Sequence, residues 1–205
     1  NFLRGMAASQ EADAADSLLR LILPATAVKQ LLEHGTVAPE VHPEVTILFT
    51  DFVGFTSIAE KMSSVDLITE LDDIFTTFDR ISFDHGLERI KTIGDAYMAI
   101  AGLEGNEDHA QRTVDAAEEM VTYLKTRRLE HPKRPDWRVR VGAHSGPVVS
   151  GVIGGSRLAF DVWGDTVNVA ARIESLADPG GVCISRAARD QVRDKLDIAL
   201  GDLGE

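Results

Sequence analysis

The chain has 205 residues, 44% of them hydrophobic, and 33 Asp or Glu against 21 Lys or Arg give a formal net charge of -12. That length holds one domain with a full core plus a short extension, and the ordinary apolar content argues against disorder. The acidity speaks against long nucleic-acid tracts as partners, because phosphate contacts need basic surface, but it leaves room for a nucleotide whose charge is met by metal ions. The single Cys183 rules out an internal disulfide and a multi-cysteine zinc site, which fits a reducing, cytoplasmic compartment. Opening on Asn1 rather than Met, the sequence reads as a piece of a longer protein without a secretory leader of its own. The apolar patch Leu18–Leu23 is too short to span a bilayer and stops at Pro24.

Residues Ala7–Asp16 are Ala-rich and charged, a helix with little to bury. Leu18, Leu19, Leu21 and Ile22 follow. Pro24 then restarts a helix through Val28, Leu31 and Leu32 to Gly35. This segment, residues 1–43, reads as a helical linker that either stays solvated or pairs with a copy of itself. Pro39 and Pro43 mark a boundary, and the compact domain, residues 44–205, opens on the β-branched strand Val45–Phe49, with Thr50-Asp51 at its end.

Phe52-Val53-Gly54-Phe55-Thr56 turns the chain into a helix. Ser63-x-x-Asp66 has the form of a capping box. Leu67, Leu71, Ile74, Phe75, Phe78 and Ile81 recur at helical spacing as far as Gly86. Ile90 and Ile93 alternate with Arg89 and Lys91, and the apolar run Ala96–Ala101 follows. Gly94-Asp95 between them reads as a hairpin turn, glycine allowing the bend and Asp95 exposing a carboxylate at the tip.

A helix over 108–129 turns Ala110, Val114, Ala117, Met120, Val121 and Leu124 inward. Lys125–Arg140 holds seven Lys or Arg; a solvated loop is the simpler reading, a docking patch the other. Trp137–Ala143 alternates as a strand, and Gly146–Gly155 is glycine-rich. Asp161-Val162-Trp163-Gly164 leads into a helix over 165–176. The strand Val182–Ile184 and a helix over 186–192 complete the order. The pattern is α+β: a ferredoxin-like βαββαβ sheet backed by helices, with additional αβ elements and an N-terminal helical segment in front.

Asp51 and Asp95 both stand where a strand gives way to a turn, and central antiparallel strands would bring them close. Two carboxylates without His or Cys suit hard, oxygen-seeking ions, Mg²⁺ or Mn²⁺, shared with substrate phosphates. Two such ions can activate an attacking oxygen and steady a leaving one in a phosphoryl-type displacement. Two turn-capping aspartates are the plainer alternative, and spacing alone slightly favours it.

Three long stretches carry a resemblance. Phe49–Thr56, Lys91–Met98 and Asp161–Ser175 resemble, in order and spacing, the catalytic blocks of class III nucleotidyl cyclases, over about Glu44 to the C-terminus. The resemblance implies a homodimer with two active sites at the interface, each built from both chains, as the output of an upstream sensor. It makes Asp51 and Asp95 ligands of two divalent ions, Lys91 and Asp161 the purine-selecting pair, and Asn168 and Arg172 the pair that orients the ribose and stabilises the α-phosphate. It assigns the backbone of Phe52, Val53, Gly54, Phe55 and Thr56 to the phosphates. Lys91 can only donate hydrogen bonds and ionised Asp161 can only accept them, which matches N1 and the 6-amino group of adenine. Guanylate cyclases of this family carry Glu and Cys there. ATP is the expected substrate and 3′,5′-cyclic AMP with pyrophosphate the expected products.

Two features qualify that expectation. The family usually has a further Lys past the last helix that grips the triphosphate, and no basic residue follows Lys195 before Glu205. The alternative to an adenylate cyclase is a catalytically silent cyclase-like module that dimerises and relays signals. No membrane span is read within the chain, and any membrane anchor is expected in another region of the longer protein.

Overall fold

The computed structural model describes residues 18, 19, 22–105, 107–154 and 158–192. The helix expected over Ala7–Asp16 and the segment after Lys195 lie outside them. The described elements are α1 (Ala25–His34), β1 (Glu40–Phe52), α2 (Phe55–Ala59), α3 (Ser64–Asp84), β2 (Glu88–Ile93), β3 (Ala96–Ala101), α4 (His109–Glu130), β4 (Val139–Ile153), β5 (Ala159–Trp163), α5 (Asp165–Leu176), β6 (Val182–Ile184) and α6 (Arg186–Arg189). The described residues fall into two compact units, those up to 41 with those in 149–162, and those in 42–148 with those from 163 to 192.

In the larger unit the strand order is β2-β3-β1-β4, with β6 paired to β4. β3 runs antiparallel to both β1 and β2, while β6 is parallel to β4. This is the antiparallel sheet expected, with helices packed on it. Burial of Leu48, Ile74, Phe78, Ile81, Tyr97 and Met120 forms its core, and removing such side chains from water is the main stabilising term.

Local signals explain the elements. The Ser63 hydroxyl accepts the Asp66 amide at 3.1 Å and starts α3, as the capping motif requires. α3 is then fastened to the hairpin. The Tyr97 hydroxyl donates to Asp79 at 2.9 Å and shares a hydrogen bond with Ser82 at 3.0 Å, and Asp79 also meets Arg89 at 2.9 Å. The apolar body of Tyr97 is buried and its polar tip partnered, which holds the β2–β3 turn in a fixed place.

Three differences from the sequence reading have physical causes. β1 starts at Glu40 rather than Val45 and runs through Pro43, which is exposed, a placement in which its absent N–H costs nothing. β4 continues past Ala143 through the glycine-rich stretch, Gly146-Pro147 included, to Ile153, because its partners impose extension on residues of low strand propensity. Part of the basic stretch belongs to α4, and Arg127 is not solvated: only 6% of it is exposed, and it pairs with Glu70 at 2.7 Å and Asp73 at 3.0 Å. Glu70 also accepts the Trp137 indole N–H at 3.1 Å, so the buried guanidinium is paired with two carboxylates, one of them tied to Trp137.

The smaller unit contains α1, closed at Gly35 in the left-handed conformation, and β5, which pairs with β4. Leu23, Ala27 and Val28 form its core, with Leu31, Val37, Val152 and Phe160 packed on it. Leu31 thus faces its own unit; Leu18, Ile22 and Leu32 are the large apolar side chains of this segment left exposed. Among the described residues no helix is long and apolar enough to cross a membrane.

Candidate active site

The site grows from the register of β1 on β3. Thr50 lies opposite Tyr97, and one further step sets Asp51 beside Ala96, next to Asp95. Asp95 occupies the β2–β3 turn after Gly94, whose φ of 64° is one that other residues rarely adopt. The Asp95 carboxylate is close enough to act on Asp51, as the β1–β3 register leads one to expect. Burial first, and then the Asp95 carboxylate, raise the Asp51 pKa above its ordinary value, while Arg140 pulls it back.

A divalent cation would offset the repulsion between the two carboxylates, and two hard oxygen ligands are the chemistry Mg²⁺ or Mn²⁺ prefers. Among the described residues no group of three His, Cys, Asp or Glu side chains converges to hold a metal unaided. The pair therefore fits an ion that completes its shell with substrate oxygens and water.

Two participants escaped the sequence reading. Arg140, on β4, is the cation bearing on Asp51, yet in sequence it is one of seven similar residues. Glu174, on α5, has its pKa pushed up to about 7, by burial first and then by Asp51 and Asp95, with Arg140 opposing. One of its oxygens is buried without a hydrogen-bond partner. Its position follows from Gly142: a Cβ there would lie 2.1 Å from the Glu174 amide nitrogen, so only glycine lets α5 approach β4 this closely. The signal was in the sequence, as a glycine two residues after Arg140.

The turn Phe52–Thr56 follows Asp51. Phe52 is buried, its ring 5.1 Å from that of Trp137. The Val53 amide donates to the Arg138 carbonyl at 2.8 Å, so it is engaged within the chain. Gly54, at φ 69°, caps α2, which begins at Phe55 and Thr56; amides at such a helix start point outward. Asn168 and Arg172 stand one turn apart on α5, both exposed. Lys91 is half-buried on β2 of the larger unit. Asp161 belongs to the smaller unit, half-buried on β5, where it accepts the Val162 amide at 2.9 Å.

The adenylate and guanylate cyclase catalytic domain model matches residues 37–203. Human guanylyl cyclase C is 42% identical over 179 residues, covering 85% of this chain and 16% of that protein. An adenylate cyclase of Mycobacterium tuberculosis (strain H37Rv) is 36% identical over 196 residues, covering 95% of this chain and 43% of that protein. The chain thus spans less than half the length of either relative. Among solved structures, the catalytic core of a rhodopsin-guanylyl cyclase with converted specificity, in complex with ATPαS, superposes with a TM-score of 0.72 at 34% identity, over 77% of this chain and 85% of that one. With the family model over residues 37–203, the relatives and the fold in agreement, the chain belongs to the adenylate and guanylate cyclase catalytic domain family, the class III cyclases.

Proposed function

We propose that the chain is the catalytic domain of an adenylate cyclase, converting ATP to 3′,5′-cyclic AMP and pyrophosphate as the output of a larger signalling protein. The observation that carries this reading is the Asp51–Asp95 pair at the end of adjacent central strands. Class III cyclases depend on divalent metal ions, and two such ions, Mg²⁺ or Mn²⁺, would supply charge neutralisation at the α-phosphate and acidify the ribose 3′-hydroxyl. Asp51 and Asp95 are the residues that would hold them.

The chain's own residues do the rest. Arg140, whose charge bears on Asp51, would meet phosphate charge brought to the pair, as an arginine fork suits. The amides of Gly54, Phe55 and Thr56 orient the triphosphate. Asn168 positions the ribose so that its 3′-oxygen lies in line with the bond to the leaving pyrophosphate, and Arg172 meets the charge that develops on the α-phosphate. Both are exposed on α5 in the single chain, which supports a homodimer in which each helix serves the aspartates of its partner.

The relatives include cyclases named for each purine, so base choice rests on the side chains. Lys91 donates to N1 and Asp161 accepts from the 6-amino group of adenine. Guanine reverses both roles and would leave two polar groups unpaired, a large penalty. Purified protein with Mn²⁺ should form cyclic AMP from ATP in clear preference to cyclic GMP from GTP. Lys91→Glu with Asp161→Cys should reverse that preference. Cyclic GMP as the main product of the unaltered chain would overturn the base assignment, and no product from either nucleotide would favour a silent relay module.

A further inference from the structure

Of the seven cations in Lys125–Arg140, most have a partner. Arg127 and Arg134 meet Asp73, both at 3.0 Å, Arg128 meets Asp136 at 3.0 Å, and Arg140 bears on Asp51. Lys125 lines a separate hollow beside Trp137. Lys133 remains, and Arg138 has only the 3.7 Å approach to Asp136. With Lys61 and Arg134 these two line one cleft of about 530 Å³ that also includes Val53 and Gly54.

Its charge runs against that of the whole chain. Acidic residues outnumber basic ones 33 to 21 overall, yet four cations share this cleft with one carboxylate, Asp136. That carboxylate is already bonded to Arg128, and it reaches Arg138 only at 3.7 Å. Among the described residues Lys61 and Lys133 have no ion-pair partner. Cations gathered in a concavity repel one another unless an anion joins them. The volume is that of a small-ligand pocket, on the order of several hundred Å³, and guanidinium forks with lysine point charges are the side chains that grip phosphate.

We propose that this cleft is a second anion site, which takes the diphosphate or triphosphate group of a small molecule through Lys61, Lys133 and Arg138. Its cations are none of the side chains assigned to the Asp51–Asp95 centre, although Val53 and Gly54, which also line it, belong to the turn assigned to the triphosphate there, and it does not depend on the base or the reaction assigned there. It is nonetheless mechanically joined to that centre, because the Arg138 carbonyl holds the Val53 amide at 2.8 Å, two residues after Asp51. An anion drawing on Arg138 would act on this turn.

The test uses the full chain carrying Asp51→Asn and Asp95→Asn, without divalent metal, titrated calorimetrically with inorganic triphosphate. The expected result is one saturable site per chain, weakened by added salt. Adding Lys61→Glu with Lys133→Glu should lower its affinity about tenfold or more, whereas Lys61→Arg with Lys133→Arg should keep it. Equal circular dichroism spectra would show that all variants are folded. Unchanged affinity after the charge reversal, absence of saturable binding, or equally tight binding of a hexaglutamate peptide would each overturn the proposal.

Discussion

Asp95→Ala is expected to lower cyclase activity by on the order of a thousandfold, the scale of losing a main electrostatic group at a reacting phosphate, while leaving the fold as stable as before or more so. The two effects have one cause. Asp95 crowds a carboxylate against Asp51, whose pKa is already raised by burial and further by that neighbour. Removing Asp95 relieves the repulsion and deprives a divalent ion of half its protein ligands. Calorimetric titration with Mn²⁺ should show the binding lost, and thermal unfolding should show a midpoint unchanged or raised, the trade expected where function holds like charges together. A turn-capping aspartate would behave in the opposite way: alanine would lower the midpoint and leave Mn²⁺ binding alone.

Gly142→Ala should damage the protein from within. The added Cβ would lie 2.1 Å from the Glu174 amide nitrogen and 2.4 Å from its Cα. Those are backbone atoms of a helix, so no rotamer change relieves the overlap, and α5 must shift as a body. Overpacking of this kind costs roughly 3 kcal/mol, which for a chain of this size lowers the unfolding midpoint by roughly 10 °C. Because α5 also presents Asn168 and Arg172, the displacement should abolish activity even below the new midpoint. A variant as stable and active as the parent would show that β4 and α5 have slack between them, and would remove the reason for Glu174 standing beside Asp51.

The parts legible in the sequence are those set by local chemistry. Ser63 and Asp66 announce the start of α3 three residues apart, and Gly94-Asp95 announces the turn, because each signal acts between near neighbours. The parts that were not legible depend on distant partners. Gly146-Pro147 opens the glycine-rich stretch beyond the strand expected to end at Ala143 but lies within β4, where the Pro147 carbonyl accepts the Thr166 hydroxyl at 2.6 Å and the lack of a side chain at Gly146 leaves room for it. Arg127, Arg138 and Arg140 look alike along the chain. Only the fold brings Glu70 and Asp73 to the first, leaves the second on a cleft and turns the third toward Asp51. The paired aspartates were legible as candidates, and the register of β1 on β3 supplies the proximity that spacing alone could not. Glu174 needed the packing of α5 on Gly142 before its carboxylate had any reason to be noticed.

The most direct test of a catalytic centre shared between two chains is a mixing experiment. Asp95→Ala and Arg172→Ala should each be inactive as purified proteins with ATP and Mn²⁺. Mixed in equal amounts and allowed to exchange subunits, half the dimers would be hybrids, and each hybrid would hold one intact site built from Asp51 and Asp95 of one chain with Asn168 and Arg172 of the other. Cyclic AMP formation should return to about a quarter of the unaltered protein's rate, from the symmetry of the dimer. A mixture that stays inactive despite demonstrated subunit exchange, while the unaltered protein works, would contradict the shared site.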